Sequence, residues 1–198
     1  MPWFVKEFFR AGIIKFGHFR LSSGAESPYY IDLRRLYSFP ELAYRVIDEL
    51  IAVIRAEYDA VVGVATAGIP LAAYIGFRRS IPMGYVRVQR KTHGLESKVE
   101  GVLEGRKVLV VDDVATTGQS LASAAETLKS LKADVAAAAA IVDREQGAEE
   151  LLKAKGIPLY SLIKVTDMFR ELLQEGLIDE ETFREVMEYT ERFRKGSF

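Results

Sequence analysis

The chain contains no cysteine, which excludes disulfides, thiol nucleophiles and cysteine-ligated zinc. Asparagine is missing too, and beside abundant Glu, Lys and Arg this suggests a heat-adapted source. Neither sign of charge dominates: 27 Lys and Arg against 28 Asp and Glu leave a net charge of -1. The whole chain therefore has no attraction for nucleic acid or an anionic membrane, and any anion site must be local. No apolar run approaches membrane-spanning length. Trp3, Phe4 and Val5 run straight into Lys6 and Glu7, so a signal-peptide core is absent and a cytoplasmic protein is expected. Two nucleotide-binding strings are missing as well. Without GxxxxGK[ST] a nucleotide triphosphatase is disfavoured, and without GxGxxG after the first strand so is a dinucleotide fold.

Among the residues present, Val108 to Ser120, VLVVDDVATTGQS, organises the rest. Val108 to Val111 is a continuous branched apolar run, the mark of a strand buried on both faces in a parallel sheet. Asp112 and Asp113 then stand at its carboxyl end, where open α/β sheets bind ligands. Val114, Ala115, Thr116, Thr117, Gly118, Gln119 and Ser120 lead into a helix. Hydroxyls and unpaired N–H groups at such a helix start make a phosphate cradle. Paired acids accept hydrogen bonds from vicinal sugar hydroxyls, so the stretch suits one ligand carrying a ribose and a phosphate.

The 198 residues show no Pro/Gly/Ser-rich linker, so a single domain spanning 1–198 is expected. It opens with a short helix, residues 3–13, followed by an extended, Gly- and Pro-punctuated piece from 16 to 35 outside the main sheet. Pro40 starts a helix to about Ala56. Strands at 60–64, 83–88, 108–112, 135–142 and 159–163 alternate with helices at 69–77, 120–131 and 148–155, while 89–101 is expected to be a polar loop. Alternation of this kind demands an α/β fold with a doubly wound, mostly parallel sheet flanked by helices. The alanine run 136–140 favours helix by propensity, but the alternation needs a strand there. Near the end, Asp179 reads as an N-cap, and Phe183, Val186, Met187 and Phe193 mark a helix face that is core or interface.

VLVVDDVATTGQS resembles, over its whole length, the phosphoribosyl-pyrophosphate motif of the type I phosphoribosyltransferases. Four further segments resemble the orotate-using members of that family: FRLSSGAESPYYIDLR their N-terminal hood (about 1–37), GVATAGIPLA their pyrophosphate loop, RKTHG with Glu100 and Gly101 their mobile catalytic loop (about 89–101), and DREQG at 143–147 their orotate loop. The C-terminal helices, about 166–195, complete a resemblance that covers essentially the entire chain.

The resemblance implies transfer of ribose 5-phosphate from phosphoribosyl pyrophosphate to orotate, in a homodimer whose 89–101 loop reaches into the neighbour's site. For catalysis it implies Lys91, His93, Asp112 and Asp113. Donor binding would fall to Arg87, Arg90, Thr66, Ala67 and Gly68 together with Asp112 to Ser120. Orotate would be met by Ser22, Ser23, Gly24, Tyr29, Tyr30, Thr116 and Arg144, with Mg²⁺ held by pyrophosphate and ribose oxygens and by no protein ligand directly. The chemistry is consistent: an anionic pyrimidine needs a cation and amide donors, and loss of pyrophosphate builds charge on both fragments. Tyr29 and Tyr30 fit packing as well as they fit a base contact, and His18 reads as hood structure. Bacterial members carry lysines where this chain has Ser22, Ala67 and Val88, so backbone N–H groups and Arg90 would replace those charges. Two rivals stand: a transferase for another base, such as a purine, and a non-catalytic sensor of phosphoribosyl pyrophosphate.

Overall fold

The computed structural model describes residues 2–20, 26–91 and 94–194, with side chains for all of these except 88–91, 94–97, 193 and 194. Helix α1 (Phe4–Arg10) is followed by strands β1 (Ile14–Arg20) and β2 (Glu26–Ile31), which form an antiparallel pair apart from the main sheet. A 3-10 turn (Leu33–Ser38) leads into α2 (Pro40–Val53), with Pro40 in the first turn where its missing N–H costs nothing. The sheet comprises β3 (Ala60–Val64), β4 (Met83–Lys91), β5 (Gly94–Glu100), β6 (Lys107–Ala115), β7 (Asp134–Asp143) and β8 (Leu159–Lys164) in the order β5-β4-β3-β6-β7-β8. Every pairing is parallel except β4 with β5.

The parallel strands are bridged by α3 (Gly68–Arg79), α4 (Gln119–Ser130) and α5 (Ala148–Ala154), and the chain closes with α6 (Val165–Gln174) and α7 (Glu180–Arg194). Asp179 Oδ1 accepts the Thr182 N–H at 2.8 Å, as the N-cap reading expects. Side chains of the central strands alternate between two cores. Val61, Leu109, Val111, Ala137 and Ala139 face α2, α3 and the hood, while Val62, Val108, Val110 and Ala138 face α4 and α5. The alanine run is thus strand β7, and α2 packs on one side of it and α4 on the other. Tertiary burial overrides the helix propensity of alanine here because the alternation leaves this segment the place beside β6.

The 89–101 segment differs from its reading as a polar loop. β4 continues to Lys91, and β5 pairs back on it from Tyr85↔Glu100 to Lys91↔Gly94. Its sequence explains why: Leu95 and Val99 alternate with Glu96, Lys98 and Glu100, a strand pattern whose charges suit a sheet edge.

Two glycines decide how closely α3 approaches the sheet. A Cβ on Gly63 would lie 2.3 Å from the Gly68 carbonyl oxygen, and one on Gly68 would lie 2.5 Å from that of Val111. These are backbone atoms, which cannot rotate away. Gly63→Ala should therefore cost about 3 kcal/mol of stability, read as a lower urea midpoint; an unchanged midpoint would mean that α3 is free to move off the sheet.

Candidate active site

The strand order reverses between β3 and β6, since the chain moves outward to β4 and then returns to the other side of β3. Ligands bind at such a switch point, beyond the carboxyl ends of the two strands. Three segments meet there: the turn after β3 with Thr66, Ala67 and Gly68, the end of β6 with Asp112 and Asp113, and the loop after β7 with Arg144. Gly68 fits so tightly that its missing Cβ would lie 3.3 Å from Asp112 Cα. β6 and β7 remain in register to Ala115↔Asp143, and the Arg144 N–H donates to the Ala115 carbonyl at 2.8 Å.

The loop from Thr116 to Gly118 turns into α4 through Gly118, at φ 77°, where a Cβ would be 2.9 Å from Ala148 Cα of α5. Asp112, Val114 to Ser120 and Leu121 line a pocket of about 60 Å³ at that helix start. Its size and its backbone donors suit an anionic group such as phosphate.

The acids are held by their own backbone. Asp112 Oδ1 accepts the Asp113 N–H at 2.9 Å, and Asp113 Oδ1 accepts the Val114 N–H at 2.8 Å. Burial pushes both carboxyls above the usual range, Asp112 further than Asp113, and repulsion from its neighbour raises Asp112 again. Hydrogen bonds from Asp112 and the backbone, and the charge of Arg34, draw Asp113 partly back.

Arg144 is 7% exposed. Its Nε–H donates to the Tyr29 hydroxyl at 3.2 Å, Nη2 donates to Ser27 Oγ at 3.3 Å, and its Cζ lies 4.6 Å from the Tyr29 ring centre. Among the described residues it has no ion pair with any carboxylate. Its loop is braced on both sides: Asp143 Oδ1 accepts the Glu145 N–H at 2.8 Å, and Glu145 Oε2 accepts the Thr166 N–H at the start of α6 at 3.0 Å.

Residues 36–167 match the family model described as the phosphoribosyl transferase domain. The chain is 42% identical over 193 residues to the orotate phosphoribosyltransferase of Pyrobaculum islandicum, covering 96% of this chain and 99% of that one. With the enzyme of the same description from Staphylothermus marinus the identity is 43% over 189 residues, covering 95% and 93%. The chain belongs to the orotate phosphoribosyltransferases. Its fold is that of the family: the crystal structure of the Aeropyrum pernix orotate phosphoribosyltransferase matches with a TM-score of 0.76 at 39% identity, over 89% of this chain and 99% of that one.

The residues expected in a phosphoribosyltransferase site are only partly assembled by the described structure. Thr66, Ala67, Gly68, Asp112 to Ser120 and Arg144 converge. Arg87 lies on β4 one residue beyond the Val64↔Val86 pair, its Nη2 donating to the Tyr85 hydroxyl at 3.3 Å. Ser22, Ser23, Gly24 and His93 lie outside the described residues, as do the side chains of Val88, Arg90 and Lys91. Tyr30 is half-buried, 5.6 Å from the Phe19 ring, and its hydroxyl accepts from Arg34 Nη2 at 3.1 Å. Tyr29 is fully buried against Phe169 and Tyr189, so it packs beneath Arg144 and offers no open face to a base.

Two residues near the acids had no signal in the sequence. Arg34 reaches Asp113 electrostatically while its Nε donates to Asp32 Oδ1 at 2.7 Å. The Tyr37 hydroxyl is buried, has no hydrogen-bond partner among the described residues, and is raised in pKa by burial and then by Asp113 and Asp112.

A carboxyl whose folded pKa is raised binds its proton more tightly folded than unfolded. The associated stability is complete below the ordinary carboxyl pKa of about 3.9 and is lost as pH rises from there through the raised folded value. At neutral pH the ligand-free protein thus carries Asp112 at a cost. Asp112→Asn, which keeps an Oδ1 acceptor for the Asp113 N–H, should raise stability at pH 7 by on the order of 1 kcal/mol and flatten its fall with pH; urea titrations at several pH values read both, and a destabilised variant would contradict the assignment.

Proposed function

We propose that the chain joins orotate to the ribose 5-phosphate of phosphoribosyl pyrophosphate, yielding orotidine 5′-monophosphate and pyrophosphate in de novo pyrimidine synthesis. The observation that carries this is the buried Arg144 guanidinium, held by neutral hydroxyls, with no ion pair among the described residues, on the loop beside the Asp112–Asp113 pair and the pocket at the start of α4. A buried charge left in this way is costly unless an anion completes it. Orotate is an anion at neutral pH, whereas a purine acceptor is not, which disfavours the purine rival.

In this reading Asp112 and Asp113 accept the ribose hydroxyls, and the N–H groups and hydroxyls of 114–120 hold the 5-phosphate. As the bond from the anomeric carbon to pyrophosphate breaks and the bond to the orotate nitrogen forms, positive charge develops on the ribose and negative charge on the leaving group. The acids face the first. The second falls to backbone N–H groups at the start of α3, to Arg87 and Arg90, and to Lys91 and His93. Ala67 lies in that turn, where bacterial members carry a lysine, and in this reading the N-terminus of α3 supplies the missing positive charge.

Among the described residues no group of three or more His, Cys, Asp or Glu could hold a metal ion. The Asp112–Asp113 pair, which in this reading accepts ribose hydroxyls, fits a Mg²⁺ that would arrive with the donor and be held mainly by its pyrophosphate and ribose oxygens. When bound it supplies Lewis-acid polarisation of the leaving group. We further propose a cytoplasmic homodimer in which the β4–β5 hairpin closes over the partner's site and excludes water.

The direct test mixes purified protein, orotate, phosphoribosyl pyrophosphate and Mg²⁺ and follows loss of orotate absorbance. Consumption is expected; donor binding without consumption would favour a sensor. Arg144→Ala should raise the orotate KM by roughly a hundredfold. Lys91→Ala should lower kcat far more than it weakens orotate binding, and equal activity would remove Lys91 from the mechanism. Mixing Lys91→Ala with Arg144→Ala subunits should restore turnover at low orotate concentration if hairpin and base site come from different subunits.

A further inference from the structure

We infer that Tyr29 is a positioning residue: its hydroxyl and ring hold the Arg144 guanidinium in place for the base, with α7 as the backing. The inference rests on the proposed role of Arg144, and it gives Tyr29 a task other than touching orotate.

An arginine side chain is rotamer-rich, and its planar fork is useful only when its orientation is set before the ligand arrives. Here three contacts set it. Nε–H donates to the Tyr29 hydroxyl, Nη2 donates to Ser27 Oγ, and the ring lies below Cζ. Both hydrogen bonds come from β2 of the hood, 115 and 117 residues away in sequence. Together they occupy one edge of the fork and leave the Nη1 edge for an anion. Ser27 is locked in turn, since its Oγ–H donates to the Tyr29 carbonyl at 2.7 Å.

Tyr29 is itself immobilised. Its ring centre lies 4.8 Å from that of Phe169 on α6 and 5.7 Å from that of Tyr189 on α7, both edge to face. The fully buried Thr190, one residue further along α7, places its hydroxyl beside the phenol oxygen and anchors on the Val186 carbonyl at 2.9 Å. The last helix of the chain thus stands directly behind the base site. Burial raises the Tyr29 pKa, so the phenol stays neutral. Neutrality matters physically: a carboxylate in this place would also orient Arg144, but would cancel its charge and compete with an anionic substrate.

The test is steady-state kinetics of the full-length protein, varying each substrate, for wild type, Tyr29→Phe, Arg144→Lys and the double variant. Tyr29→Phe keeps the ring packing and removes only the hydroxyl. We expect its orotate KM to rise about tenfold, with kcat and the donor KM within about twofold. On the Arg144→Lys background the same change should add less than about twofold, because the two residues act as one unit. An orotate KM equal to wild type, a parallel rise in the donor KM, or an undiminished effect on the Lys background would overturn the positioning role. Thr190→Val provides the same test should Tyr29→Phe fold poorly; its expected shift is smaller but equally confined to orotate. Orotate affinity measured by calorimetry separates the two levels of inference. If wild type neither binds nor consumes orotate, the proposed function fails; if wild type and Tyr29→Phe bind it equally, only the role of Tyr29 does.

Discussion

The parallel pairing of β3 with β6 is the contact on which the rest of this molecule depends. Because the chain reaches β6 only after building β4 and β5 on the far side of β3, the connections diverge at this pair and open a crevice beyond the strand ends. Burial on both faces by helices makes the pair rigid, and the absence of side chains at Gly63 and Gly68 lets the start of α3 press onto both strands. A helix N-terminus, two acids and a second helix start at α4 are thereby brought together with little freedom to adjust. Such preorganisation lowers the cost of binding a ligand that carries both phosphate and hydroxyl groups.

The same crevice collects charges that are poorly compensated without ligand. Asp112 and Asp113 are adjacent and desolvated, and the cation that reaches Asp113 is Arg34 from the hood. Arg144 is buried against a phenol and a serine hydroxyl. The acids and the arginine carry opposite signs on adjoining segments, and under the proposed function ribose hydroxyls would complete the acids and an anionic base the arginine. A site of this kind trades stability for function. Its tolerance rests on the two large cores either side of the sheet.

The hood and the C-terminal helices take part in that arrangement. Phe4, Phe8 and Tyr29 from the beginning of the chain share one core with Phe169, Leu172 and Val186 from its end. Arg144 sits where this core meets the sheet, so its geometry is set by segments more than a hundred residues apart. Asp143 and Glu145, flanking it, attach its loop to its own backbone and to α6.

Much of this was legible in the residues alone. Continuous apolar runs identified β3 and β6, the alternation with helices required a parallel sheet, and VLVVDDVATTGQS placed acids and a phosphate loop at one strand end, because strand burial and helix starts are local properties of composition and period. The alanine run could be placed only by architecture, since alanine itself prefers helix. The strands within 89–101 were not legible because the alternation of Leu95 and Val99 with charged residues is short and becomes a strand only when β4 offers an edge. Nothing local distinguishes Tyr29 from any other core tyrosine, or marks Tyr37 and Arg34 as neighbours of the acids. Their positions depend on which surfaces the hood and α7 bury, and that is a matter of tertiary packing. The sequence by itself thus determined the sheet, the Thr- and Gly-containing loop at the end of β6 and the family resemblance; only the folded chain decided what holds Arg144, because a long-range contact between β2, α7 and the DREQG loop has no period to read.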